Sequence, residues 1–494
     1  MIQTWDTEHE PLQFRQTYRL YIPKELLQVG ANTLRLALPP HPYGDDARGL
    51  AIGWDYLALS ELRSPAPEPI HGRMVYLGST IQAGADNFSL NSGMIAHIPA
   101  ILQWLGIAYS GNTMRAVYWS DVQQRQPPAL QRQMLETYRD LNMTVVSNRL
   151  HTGGIQLQGD ELPDDAKANL DQFFQEFGTL FQYHEIDNEP GLFDRSKAVV
   201  MAVAKHVNAI KPAHVKTTAP GWAYWETGGE PEGWERDLDH RRDVETLTEV
   251  TNGHSYGSSY NDFRGGSFIE NLRTYGDRVD DGFPKEFLVT ETGTNDHHAE
   301  ANTGASQPHA AEFDRILRAH IAVADRVMQH AVFAGGYSLL RQVEEWETHD
   351  PMDLELYPGV DGEESRVQTF RRLALAYATH GKPLPYRYLN PDALRYKTVY
   401  FRAVDTSTLA ALPGSRGKSD RVLLNFVNFE TTPQTLKVAV TLPQPGQYRG
   451  DRMGAGTTYG SATTPVALTA APEVSLEVTL PPRESVQYIL SPTP

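Results

Sequence analysis

Between residues 71 and 382, short apolar runs that end at a breaker alternate with longer stretches of helical periodicity. That alternation constrains the fold more than any other feature of the chain. Strand segments read at 74–77, 113–119, 144–148, 182–187, 215–219, 250–254, 287–290 and 332–339. Helical spacing reads at 92–105, 128–141, 164–177, 195–210, 268–279, 310–328 and 366–379, with Pro128 at a helix start, where a proline loses no hydrogen bond. Eight strands interleaved with helices over about 310 residues predict a (β/α)8 barrel with long loops.

Two of the strand segments end in a glutamate. Tyr183-His184-Glu185-Ile186-Asp187-Asn188-Glu189-Pro190 delivers Glu189, and Glu286-Phe287-Leu288-Val289-Thr290-Glu291-Thr292-Gly293 delivers Glu291. The two stand 102 positions apart, room for roughly three βα units of a few tens of residues each. Strand C-termini are where a barrel builds its site. Two carboxylates facing one cavity are what cleavage of a glycosidic bond requires, one donating a proton and the other attacking or activating water. To start as the acid, Glu189 must keep a proton, through burial or a neighbouring carboxylate such as Glu291.

Asn-Glu-Pro after a strand, followed about a hundred residues later by a strand ending in Glu, resembles clan A of the retaining glycoside hydrolases. The resemblance implies that Glu189 is the acid/base, that Glu291 is the nucleophile and that Asn188 hydrogen-bonds the sugar 2-hydroxyl. One position departs from the pattern: the clan usually has a bulky apolar residue before the Asn, and this chain has Asp187.

Further candidates follow the same strands. Arg115 is a charge in a strand that should be buried, and buried arginine needs a partner. The resemblance implies a place near the nucleophile, which it would keep ionised. Trp119 ends the same segment and offers a ring for a sugar to stack on. His254 and Tyr256 lie two apart and so point the same way, and the clan's sixth strand commonly offers such a His-x-Tyr pair. His151 follows the third segment, Trp222 the fifth and Trp346 the eighth, where aromatics and a histidine would line sugar subsites. His297 and His298 belong to no recognisable metal-ligand spacing, and there is no phosphate-loop or dinucleotide fingerprint, so no metal or cofactor is expected.

The flanks differ in pattern. Residues 1–70 are β-rich, and Ile22-Pro23 through Asn32-Thr33-Leu34 resembles the late strands of galactose-binding-like jelly rolls, enough for a partial jelly-roll segment. Residues 383–494 return to short strands at 398–403, 421–429, 435–441 and 485–490, separated by Gly/Pro/Thr-rich turns, which predicts a C-terminal β-sandwich.

Composition narrows the partners. A net charge of −17 opposes nucleic acid, whose phosphates are bound by Lys and Arg. The absence of cysteine in all 494 residues excludes disulfides and thiolate metal sites. No apolar run reaches the length of a membrane span, and Met1-Ile2-Gln3-Thr4-Trp5-Asp6 does not open a signal peptide, although a secreted or periplasmic bacterial enzyme fits the pattern. The expected partner is a carbohydrate. Two alternatives remain open at this stage: a transglycosidase using the same residues, and a non-catalytic carbohydrate-binding barrel.

Overall fold

A computed structural model describes residues 29, 76–83, 92–105, 113–118, 128–148, 152, 154–191, 195–223, 238–257, 286–294, 329–334, 381–394, 399–406, 422–428, 432–453, 465–470, 473–482 and 484–492. The chain divides into two units, Met1–Ser64 and Pro65–Pro494. In the first only the exposed Val29 is described, so the expected jelly-roll segment lies outside the described residues. The helices expected at 268–279, 310–328 and 366–379 lie outside them too.

The second unit opens with strands and helices in alternation: β1 (Tyr76–Ala83), α1 (Ser92–Leu105), β2 (Thr113–Tyr118), α2 (Pro128–Asp140), β3 (Thr144–Asn148), α3 (Asp164–Phe177), β4 (Tyr183–Glu185), α4 (Lys197–Ile210), β5 (Lys216–Thr218), β6 (Trp222–Ala223), α5 (Leu238–Glu245), β7 (Val250–Gly257), β8 (Glu286–Thr294) and β9 (Gln329–Ala334). Each strand from β1 to β5 pairs in parallel with the next. Thr218 of β5 pairs with Val250 of β7, β7 with β8, β8 with β9, and β9 with β1, all parallel. Eight strands thus close into a ring, and the two-residue β6 adds to the β7 edge. This is an α/β barrel.

Helices pack because their apolar residues recur at helical spacing. On α3, Ala166, Leu170, Phe173, Phe174 and Phe177 are buried, and Asp164 and Asp165 in its first turn complement the helix dipole. Phe173 stacks on Phe181 at 5.5 Å between ring centroids, and Phe174 meets the His184 ring edge-on at 4.9 Å. Burial among these rings pushes His184 down to about 3, so it is neutral, with Ser147 Oγ 2.9 Å from its Nδ1. On α4, Val199, Val200, Val203 and Val207 make the buried stripe, and Lys211-Pro212 ends the helix.

Inside the barrel the strands change character partway along. Val146, Tyr183, Val250 and Leu288, one from each of four strands, form an apolar cluster. Two residues further along the same strands, on the same face, come Asn148, Glu185, Asn252 and Thr290, all fully buried. A polar layer therefore lies over an apolar one, toward the strand C-termini.

After the barrel come β10 (Lys382–Pro383), β11 (Tyr386–Tyr388), β12 (Val399–Asp405), β13 (Val422–Asn428), β14 (Gln434–Thr441), β15 (Gly446–Met453), β16 (Pro465–Ala470), β17 (Glu473–Leu480) and β18 (Glu484–Pro492). They make an antiparallel six-stranded sheet and an antiparallel three-stranded sheet that share one core, in which Phe401 and Phe426 meet Val438, Leu476 and Leu480. Among the described residues no helix is long and apolar enough to cross a membrane.

Candidate functional site

Glu189 emerges where β4 has ended and the chain turns. Its backbone N–H donates to Gly221 O at 3.2 Å, and Asn188 bridges to Gly221 in parallel register. The residue takes φ of +47°, the left-handed region that a side chain with a Cβ rarely adopts. Such backbone persists only when its surroundings hold it, and it concentrates at functional sites.

Asp187 supplies much of that hold. Its carboxylate is fully buried and accepts from the Asn188 backbone N–H at 2.8 Å, from the Thr152 hydroxyl and from Arg195 Nη1. Arg195 Nη1 also donates to Asn188 O at 2.8 Å. The turn carrying Asn188 and Glu189 is therefore clamped from the loop after β3 and from the segment leading into α4. Burial pushes the Asp187 carboxyl up to about 6, against the opposing pull of Arg195 and Thr152. An apolar residue at this position would make none of these bonds, which gives the departure noted in the sequence a physical role.

His254 reaches Glu189 from β7. Its Nδ1 lies 2.6 Å from Glu189 Oε1, and its Nε2 lies 2.9 Å from Thr290 Oγ1 and 3.6 Å from Glu185 Oε1. Gly221 makes room for the ring: a Cβ there would come within 2.0 Å of His254 Nε2. Below, Asn252 Nδ2 donates to Glu185 Oε1 at 3.1 Å, and the Thr290 hydroxyl lies 2.8 Å from Asn252 Oδ1.

On β8, Glu291 holds the register position beside His254, after a bulge between Gly253 and His254. The side chains of Glu291, Arg115 and Tyr256 lie outside the described residues; their backbones stand on β8, β2 and β7, with Arg115 in register with Val146. Trp119, His151 and Trp346 lie outside the described residues altogether.

Trp222 departs from the expected sugar platform. It has no exposed surface, its indole N–H donates to Glu245 Oε1 at 2.8 Å, and the Arg241 guanidinium sits 5.5 Å from its ring centroid. A ring enclosed in this way is part of the barrel wall and has no face to offer a ligand.

The sequence reading passed over Glu185, Asn252, Thr290, Gly221, Thr152 and Arg195. For Glu185 a signal was present, since a carboxylate inside a buried strand needs partners for the same reason as Arg115. Among the described residues no cluster of three or more His, Asp or Glu could hold a metal ion.

No protein-family model and no curated protein matches the chain. Solved structures similar to it include a monomeric β-xylosidase from Caulobacter crescentus CB15, at 14% identity and a TM-score of 0.47 over 88% of this chain and 98% of that one. A glucosidase from Croceicoccus marinus aligns at 12% identity and a TM-score of 0.48, covering 88% of this chain and all of that one. A family 30 endoxylanase from Clostridium papyrosolvens C71 aligns at 12% identity and a TM-score of 0.46, covering 88% and 99%.

Proposed function

We propose that the chain is a retaining glycoside hydrolase acting on an oligo- or polysaccharide, with Glu189 as acid/base and Glu291 as nucleophile. The observation that carries this is the placement of His254. Its ring contacts Glu189, and its backbone is in register with Glu291 on the neighbouring strand. Both glutamates thus stand beside one residue at the C-terminal end of a parallel barrel, where such folds carry their sites. The held, left-handed backbone of Glu189 adds to it.

In this reading the Glu291 carboxylate attacks the anomeric carbon. The bond to the leaving oxygen breaks, its electron pair goes to that oxygen, and Glu189 supplies the proton. Glu189 then takes a proton from water as the water oxygen attacks the same carbon and frees Glu291. Asn188, beside Glu189, binds the sugar 2-hydroxyl, and Arg115 and Tyr256 keep the nucleophile ionised. The barrel over 71–382 is the catalytic domain, 383–494 a C-terminal β-sandwich and 1–70 a partial jelly-roll segment.

A panel of chromogenic aryl glycosides, followed by proton NMR of the first-formed product, tests the reading. It expects release from at least one glycoside with the anomeric configuration kept. An inverted product would replace the double displacement with a single one, and a barrel that binds sugar but releases nothing would remove the enzymatic reading.

A further inference from the structure

His254 stands between two buried carboxylates, with Glu189 Oε1 2.6 Å from Nδ1 and Glu185 Oε1 3.6 Å from Nε2. The hydrogens around it follow by elimination. Asn252 Oδ1 accepts the Thr290 backbone N–H at 3.2 Å, while Asn252 Nδ2 faces two acceptors, Glu185 Oε1 at 3.1 Å and Ala219 O at 3.3 Å. The carboxamide is therefore oriented with its oxygen toward Thr290. The Thr290 hydroxyl lies 2.8 Å from that oxygen, which has no hydrogen to give, so the hydroxyl donates there. With its one hydrogen committed to Asn252 Oδ1, the nearer of two acceptors in reach (Glu185 Oε1, at 3.3 Å, is the other), Thr290 Oγ1 can only accept at its 2.9 Å contact with His254 Nε2. Nε2 carries a hydrogen in every protonation state of the ring.

One hydrogen is then left to span Nδ1 and Glu189 Oε1. It makes either a carboxylic acid against a neutral imidazole or a carboxylate against an imidazolium. Losing it would leave a carboxylate facing a ring lone pair, with a second carboxylate on the other side of the ring. The titratable groups whose side chains are described around the ring are Glu189 and Glu185, both on the β4 side, while Glu291 holds the adjoining register position on β8.

We propose that Glu185 is a positioning residue which, through Asn252 and Thr290 and by its own place 3.6 Å from His254 Nε2, makes the Glu189–His254 pair hold one proton jointly. Its catalytic meaning rests on the glycosidase reading, in which this proton goes to the leaving oxygen. The burial of Glu185 inside the barrel keeps it away from substrate, so it acts only through the ring.

The test is nitrogen NMR of the full chain carrying 15N-labelled histidine, with the His254 signals identified by their loss in His254→Gln or, should that protein not fold, by their displacement in Glu189→Gln. In the wild type, Nε2 should remain protonated across the whole pH range, and Nδ1 alone should change. In Glu185→Gln the pH at which Nδ1 loses its hydrogen bond to a shared proton should fall by at least about one unit, a tenfold weaker hold. A neutral ring with its hydrogen on Nδ1, or a titration unmoved by Glu185→Gln, overturns the proposal. The spectrum needs no turnover, so it reads the proton even if the glycosidase reading fails. The wild-type tautomer also stands as a test should the Glu185 variant not fold.

Discussion

Glu189 Oε1 and His254 Nδ1 meet at 2.6 Å although the residues are 65 positions apart in the chain. The contact joins the turn after β4 to β7, on the far side of β5, and Gly221 lies between them.

Replacing Glu189 with Gln removes the exchangeable proton while keeping the volume. For glycosides with poor leaving groups, kcat/KM should fall by roughly 10²–10⁴, the usual contribution of general acid–base catalysis. For a dinitrophenyl glycoside, whose leaving group needs no proton, the first step should survive and the second become limiting. Steady-state and burst kinetics on the two substrate types give the comparison.

Gly221→Ala puts a methyl group 2.0 Å from the present position of His254 Nε2, so the ring must move. Overpacking of this kind costs about 1–3 kcal/mol. It should also break the Glu189 contact, so activity is expected to fall at least about tenfold in kcat with a lower unfolding temperature. Thermal melts and kinetics on the purified variant check both parts.

Asp187 links pH to stability. Its folded-state value, about 6, lies above the ordinary 3.8, so the folded protein binds this proton more tightly than the unfolded chain. The resulting stabilisation is complete below the unfolded value and is lost as pH rises through about 6. The difference of about two pH units corresponds to roughly 3 kcal/mol. Asp187→Asn cannot titrate, so denaturant melts between pH 3 and 7 should show the wild type losing that much relative to the variant.

Trp222→Phe removes the indole donor from Glu245, which keeps its 2.8 Å contact from Thr251 Oγ1. A buried acceptor left short of a partner costs about 1–3 kcal/mol. Stability should drop while KM for small glycosides stays within about twofold, because an enclosed ring touches no sugar.

The strand and helix spacing made the barrel readable because each unit obeys its own period. The helices read at 92–105 and 164–177 match α1 and α3 to the residue, and 144–148 matches β3. Strand ends were read less closely: β7 runs on to Gly257 and β8 to Thr294, since Gly and polar residues continue a ladder where only neighbouring strands can stabilise it. In the C-terminal sheets, β15 (Gly446–Met453) has no apolar alternation and draws its register from β16 and β18. By contrast, β17 alternates strictly between exposed and buried, a legible signal that the strand segments expected over 383–494 do not include. At the site, Glu189, Asn188 and His254 followed from local motifs. The roles of Asp187, Thr152 and Arg195 did not, because Thr152 and Asp187 are 35 positions apart and nothing local pairs them.

The measurement that bears most directly on the central claim is active-site trapping. A 2-deoxy-2-fluoro glycoside with an activated leaving group, matched to the preferred sugar, slows release of the covalent intermediate so that it accumulates. Proteolysis and mass spectrometry of the trapped protein should place the sugar on Glu291, with no labelling in Glu291→Ala and faster trapping than turnover in Glu189→Ala. A sugar attached at Glu189, or an active enzyme that turns over natural substrate yet never labels Glu291, would contradict the assignment of the two glutamates.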